Sequence, residues 1–103
     1  MGTHEEIADV LDGAADVIER DGWFRLGDEP TRDGDGGACV FVALDRAGDR
    51  DLRGYLALSR SLGLDTVLTT AWNDAPERTK QEVLDALRLA AKSERRLADG
   101  IDL

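Results

Sequence analysis

From Thr3 to Gly22 the chain repeats its apolar residues at the pitch of an α-helix, and no other feature restricts its fold so tightly. Ile7, Leu11, Ala14 and Ile18 form a stripe that Val10 and Val17 widen, with Asp9, Asp12, Asp16 and Glu19 on the other side. Thr3 with Glu6 three residues later is a capping box, and Gly22 after Arg20 and Asp21 is a natural stop. Gly13, inside the stripe, should weaken the helix by about 1 kcal/mol relative to Ala. Trp23 and Phe24 follow at once, placed to fold back onto a core.

Two further helices carry comparable signals. Arg50 to Leu62 places Leu52, Tyr55, Leu56, Ser59 and Leu62 on one face, and Gly63 with Leu64 fits a Schellman ending. A last helix is expected from Ala75 to about Leu97, with Val83, Leu84, Leu87, Ala90 and Ala91 as its core face. Its start is read from Asp74 as N-cap, Pro76 in the first turn and Glu77 reaching back from the third position. Arg78 and Glu82 form an i,i+4 pair, and Lys92, Arg95 and Arg96 complement the dipole at the far end. Trp72 then stands directly in front of the longest helix in the chain, where it can pack as a staple or serve as an interface anchor.

The segments between are less determined. Residues 25–37 are a loop by composition, rich in Asp and Gly. An EF-hand loop starting at Asp33 would need an oxygen ligand where Gly37 stands and Glu where Leu44 stands, so calcium is not expected. Nor does a strand precede the glycines, as a dinucleotide loop requires. The run Ala38 to Leu44 is apolar throughout. Val40, Phe41 and Val42 favour a strand, whereas Asp45-Arg46-Ala47-Gly48 looks like a last helical turn. Residues 65–71 read either as a helical turn or as an extended piece.

Composition limits the function. The chain of 103 residues is long enough for a single core and carries a net charge of −9. Residues 1–51 hold 14 acidic and 5 basic side chains, whereas residues 52–103 hold 8 of each. An acidic first half argues against direct nucleic-acid binding and against anionic membranes, and suits a basic protein partner. No apolar run could span a bilayer and the start lacks a basic leader, so a cytoplasmic protein is expected. One Cys and one His rule out an internal disulfide and an ordinary zinc site, and no metal or cofactor is implied.

Candidate chemistry is sparse. Cys39 could gain reactivity from a helix N-terminus, but its apolar neighbours Ala38 and Val40 suit a buried thiol. His4 lies beside a cap without a convincing partner, so no Ser-His-Asp triad can be built. Leu62-Gly63-Leu64-Asp65-Thr66 is similar to the prosthetic-group turn of acyl carrier proteins, but Thr66 stands where the attachment Ser is needed. Capping accounts for Asp74, and Asn73 and Thr79 offer an amide and a hydroxyl near it.

Gly22-Trp23, Cys39 before Ala43-Leu44, and Trp72-Asn73-Asp74 before Arg78-Thr79 and Glu82-Val83 together resemble a family of small helical domains of unknown function, common in actinobacteria and their phages. The resemblance extends from about Ile7 to Ala91. It implies helix for residues 38–47 and brings no established activity, substrate or cofactor. Val42 departs from it, since such sequences tend to carry Gly there.

The expectation is therefore one all-α domain over residues 1–103: a compact four-helix fold, ordered from about 3 to 97, with a long Gly/Asp-rich loop between helices 1 and 2. The leading function is a non-catalytic interaction or regulatory module with an acidic face. The alternatives are a small-molecule pocket near Trp23, Cys39 and Trp72, and an acidic phage-type inhibitor that imitates nucleic acid. Trp23, Cys39, Trp72, Asn73, Asp74 and Thr79 are the candidate binding residues, and no catalytic residue is assigned.

Overall fold

In the computed structural model, residues 3–23 and 39–98 are described. The expected Gly/Asp loop, the calcium test at Asp33, Phe24 and the chain end from 99 to 103 lie outside them. Among the described residues the protein is all-helical, with five helices where four were expected: α1 His4–Asp21, α2 Val40–Arg46, α3 Arg53–Leu62, α4 Thr66–Asp74 and α5 Lys80–Ala98.

α1 begins as its sequence dictates. The Thr3 side chain accepts from the Glu6 amide, the Glu6 carboxylate accepts from the Thr3 amide, and Gly22 ends the helix at φ 95°. Its buried stripe of Ile7, Leu11, Ala14, Val17 and Ile18 packs along α5, which contributes Val83, Leu84, Leu87, Ala90 and Ala91. Burial of these side chains, at about 1.5–3 kcal/mol for each large one, is the main force holding the fold. Gly13 has a packing reason: a Cβ there would meet the Ala47 Cβ at 3.2 Å.

The acidic side of α1 is bound to the same partner helix. Arg88 Nη2 donates to Asp16 at 3.1 Å and to Glu19 at 2.8 Å, and its Nη1 reaches Asp12 at 3.3 Å. Arg95 spans Asp12 at 2.6 Å and Asp9 at 3.1 Å. The hydrogen bond to Asp16 is the largest influence raising the Arg88 pKa, and that to Asp12 the largest raising Arg95. His4, expected to lack a partner, places Nδ1 2.8 Å from Oε1 of the buried Glu94. α1 and α5 are thus joined along their whole length, by apolar contact inside and by ion pairs at the edge.

The middle of the chain departs most from expectation. Residues 40–46 are helical, which decides between strand and helix. α3 starts at Arg53, three residues later than expected, because the buried Asp49 takes over the start of the helix. Its two carboxylate oxygens accept from the amides of Gly54 at 2.8 Å and Tyr55 at 3.0 Å. A Cβ on Gly54 would stand 3.1 Å from both Asp49 Cγ and Val10 Cγ1, so a larger residue would press on the cap and on α1. α3 ends as expected: Gly63 adopts φ 73°, and the Leu64 amide donates to the Ser59 carbonyl at 2.9 Å.

Of residues 65–71, left open above, Asp65 is the N-cap of α4 and the rest belong to that helix. The Asp65 carboxylate caps it by accepting from the Leu68 amide at 3.0 Å. Tyr55 donates through its hydroxyl to the Thr66 carbonyl at 2.6 Å, and Thr69 donates to Ser59 at 2.7 Å, fastening α4 to α3.

The last helix begins at Lys80 and not at Ala75, which corrects the reading of Asp74 as its N-cap. Pro76 forces the preceding Ala75 out of helical space, to φ −59° and ψ 138°, and so ends α4 at Asp74. The capping box is formed five residues on. The Thr79 amide donates to Glu82 Oε1 at 2.9 Å, and the Glu82 amide donates to Thr79 Oγ1 at 3.2 Å. No described helix is long and apolar enough to cross a membrane.

Candidate functional site

Several residues singled out from the sequence meet at the end of α4. Asn73 is fully buried there, and its Oδ1 accepts from the Trp23 indole N–H at 2.8 Å and from the Val40 amide at 3.2 Å. Its Nδ2 donates to Asp74 at 3.0 Å. One amide thus ties the exit of α1, the start of α2 and the end of α4. A carbonyl oxygen has two lone pairs, and both are engaged within the fold. Cys39, half-buried, precedes Val40 at the N-cap position of α2 and makes no capping bond with its side chain.

The other two candidates lie apart from this knot. Trp72 is half-buried and carries the Arg78 guanidinium 4.3 Å from its ring centroid, while Arg78 Nε donates to the Trp72 carbonyl at 2.9 Å. The turn from α4 to α5 is closed by that stacked cation. Thr79 is exposed and spends its hydroxyl on the α5 cap.

The feature that sequence reasoning missed lies on the other side of Asp74. Phe41 of α2, Leu52 just before α3, Tyr55 and Leu56 of α3, and Thr66 and Ala71 of α4 line an open groove of about 830 Å³, with Asp51 and Asp74 completing it. Phe41 and Tyr55 meet edge to face, their ring centroids 5.7 Å apart. Leu52 has φ 63°, the one non-glycine residue in left-handed conformation among those described. The Asp49 cap forces this geometry, since the chain must turn back within four residues to bring Gly54 and Tyr55 onto the carboxylate. That backbone turns the Leu52 side chain out to the groove, where it is 45% exposed. A helical-face pattern counted Leu52 and Leu56 with buried Tyr55 and Ser59, and it carries no signal of a left-handed residue.

A second, more polar groove of about 980 Å³ adjoins the first and shares Asp51 and Leu56 with it; His4, Arg53 and Arg60 are among its other walls. Among the described residues no group of three His, Cys, Asp or Glu could hold a metal ion.

A family model described as "Family of unknown function (DUF6197)" matches residues 2–93. The chain belongs to that family. Its match spans all of α1 to α4 and most of α5, so both the Asn73 knot and the apolar groove fall within the DUF6197 region. No curated protein and no solved structure matches the chain.

Proposed function

We propose that this DUF6197 chain is a non-catalytic protein-interaction module whose contact surface is the groove between α2, α3 and α4. The observation that carries this is the convergence there of Phe41, Leu52 and Leu56, each 45–46% exposed. A soluble domain gains nothing from grouping large apolar side chains at its surface unless a partner covers them. Leu52 strengthens the reading, because its left-handed backbone costs roughly 1–2 kcal/mol for a residue other than Gly.

The acidic side of α1 offers less to a partner, since Asp9, Asp12, Asp16 and Glu19 are already held by Arg88 and Arg95. A small-molecule site around Trp23, Cys39 and Trp72 would compete with the bonds that occupy Asn73 Oδ1.

Selection of a displayed random-peptide library on the protein tests the proposal. Binders should lose their signal on Leu56→Lys and keep it on Leu89→Lys, where a still more exposed leucine lies on α5. Binders indifferent to Leu56→Lys would refute the groove as the contact surface.

A further inference from the structure

The lining of the groove also says what kind of partner fits it. Its side chains are apolar apart from Thr66, the Tyr55 hydroxyl and the carboxylates of Asp51 and Asp74, and among the described residues no cation lines it. Asp45 stands one helical turn beyond Phe41 on α2 and is exposed, adding a third carboxylate on the Phe41 side. Arg53 is held by Asp51 at 3.0 Å and lines the neighbouring groove.

An occupant must also satisfy its own backbone. Helix side chains form the walls, and no sheet edge exists among the described residues to pair with an extended peptide. A segment buried there keeps its amides bonded only by being helical itself. Leu52 and Leu56 lie four residues apart along one wall, a spacing that accepts apolar anchors at i and i+3 or i+4 of a facing helix. A second copy of the chain is disfavoured, because two molecules of charge −9 would repel across carboxylate-lined walls.

We infer that the groove receives an amphipathic helix of a basic partner protein, with Leu or aromatic anchors flanked by Lys or Arg that meet Asp45, Asp51 and Asp74. This rests on the interaction reading above and adds the partner's chemistry to it.

Three fluorescently labelled helical peptides with the same apolar anchors, differing only in Lys, Gln or Glu at the flanking positions, test it by anisotropy. The Lys peptide should bind at least about tenfold more tightly than the Glu peptide at low salt, with the gap closing as salt rises. Asp45→Asn combined with Asp51→Asn should shrink that gap to about threefold or less, while Leu52→Gly should weaken all three peptides together. Equal binding of the three by wild-type protein would overturn the basic partner and leave the groove reading standing. Failure of every peptide to respond to Leu52→Gly would overturn the groove reading itself. Concentration-dependent dimerisation abolished by Leu56→Lys would overturn the inference in favour of a second copy.

Discussion

Asn73→Ala separates a structural role for this amide from a ligand-binding one. The substitution removes the acceptor shared by Trp23 Nε1 at 2.8 Å and the Val40 amide at 3.2 Å. The Val40 amide begins a buried helix start and has no water to turn to, so its loss costs about 1–3 kcal/mol. The Trp23 indole is only half-buried and can recover part of its bond from solvent, so it adds about 0.5–1.5 kcal/mol. The total, about 1.5–4.5 kcal/mol, is a large fraction of the roughly 5–15 kcal/mol that stabilises a domain. At about 4–8 °C per kcal/mol for a chain of this size, the melting temperature should fall by roughly 6–36 °C. Thermal unfolding followed by far-ultraviolet circular dichroism measures it, and the Trp emission should shift to the red in the native state. A loss below about 1 kcal/mol would refute the view that Asn73 fastens α1, α2 and α4 together. Retained stability with lost ligand response would instead return Asn73 to the binding role read from the sequence.

Three further outcomes follow from the geometry. Thr79→Ala should cost about 1 kcal/mol by denaturant unfolding, whereas Glu77→Ala should stay within about 0.5 kcal/mol, because the cap is formed by Thr79 and Glu82. Arg88→Ala should lower stability by less than about 1 kcal/mol at low salt and by little at high salt, its ion pairs to Asp12, Asp16 and Glu19 being largely exposed. The hydrogen bond from Arg20 is the main cause holding the Asp21 carboxyl below its ordinary value. Arg20→Gln should therefore raise the Asp21 titration seen by carboxyl NMR. Since the folded-state value is depressed, Arg20 adds stability above the usual carboxylate range, and the difference between the two proteins should vanish as pH falls through the folded-state value.

What the sequence made legible was what local chemistry decides. Thr3 with Glu6, Gly63 with Leu64, and the apolar stripes of α1 and α5 each point to one structure and are found there. Between 65 and 80 two capping boxes compete, Asp74 with Glu77 and Thr79 with Glu82. Pro76 favours the first when read alone, as an ordinary first-turn residue. The outcome turned on how the segment folds on itself: Pro76 holds Ala75 extended, Asn73 donates to the Asp74 carboxylate, and Arg78 stacks on Trp72, so the chain makes a turn before the second box acts. Asp49 likewise caps α3 from five and six residues away, a span no local capping pattern covers. Membership of a family of unknown function and the helical class were both expected and are found; the groove was not expected, because it depends on that distant cap and on Leu52 turning outward.

Leu52→Gly gives the most direct measurement, with melting temperature and affinity for the basic helical peptide taken on the same sample. Gly relieves a left-handed residue at φ 63° that costs roughly 1–2 kcal/mol. It returns about 0.5–1 kcal/mol of that through greater freedom of the unfolded chain. A leucine whose side chain serves the partner and not the core predicts a melting temperature equal to or above that of the wild type, together with an affinity at least about tenfold weaker. A melting temperature several degrees lower, or an affinity left unchanged, would contradict a groove exposed for binding.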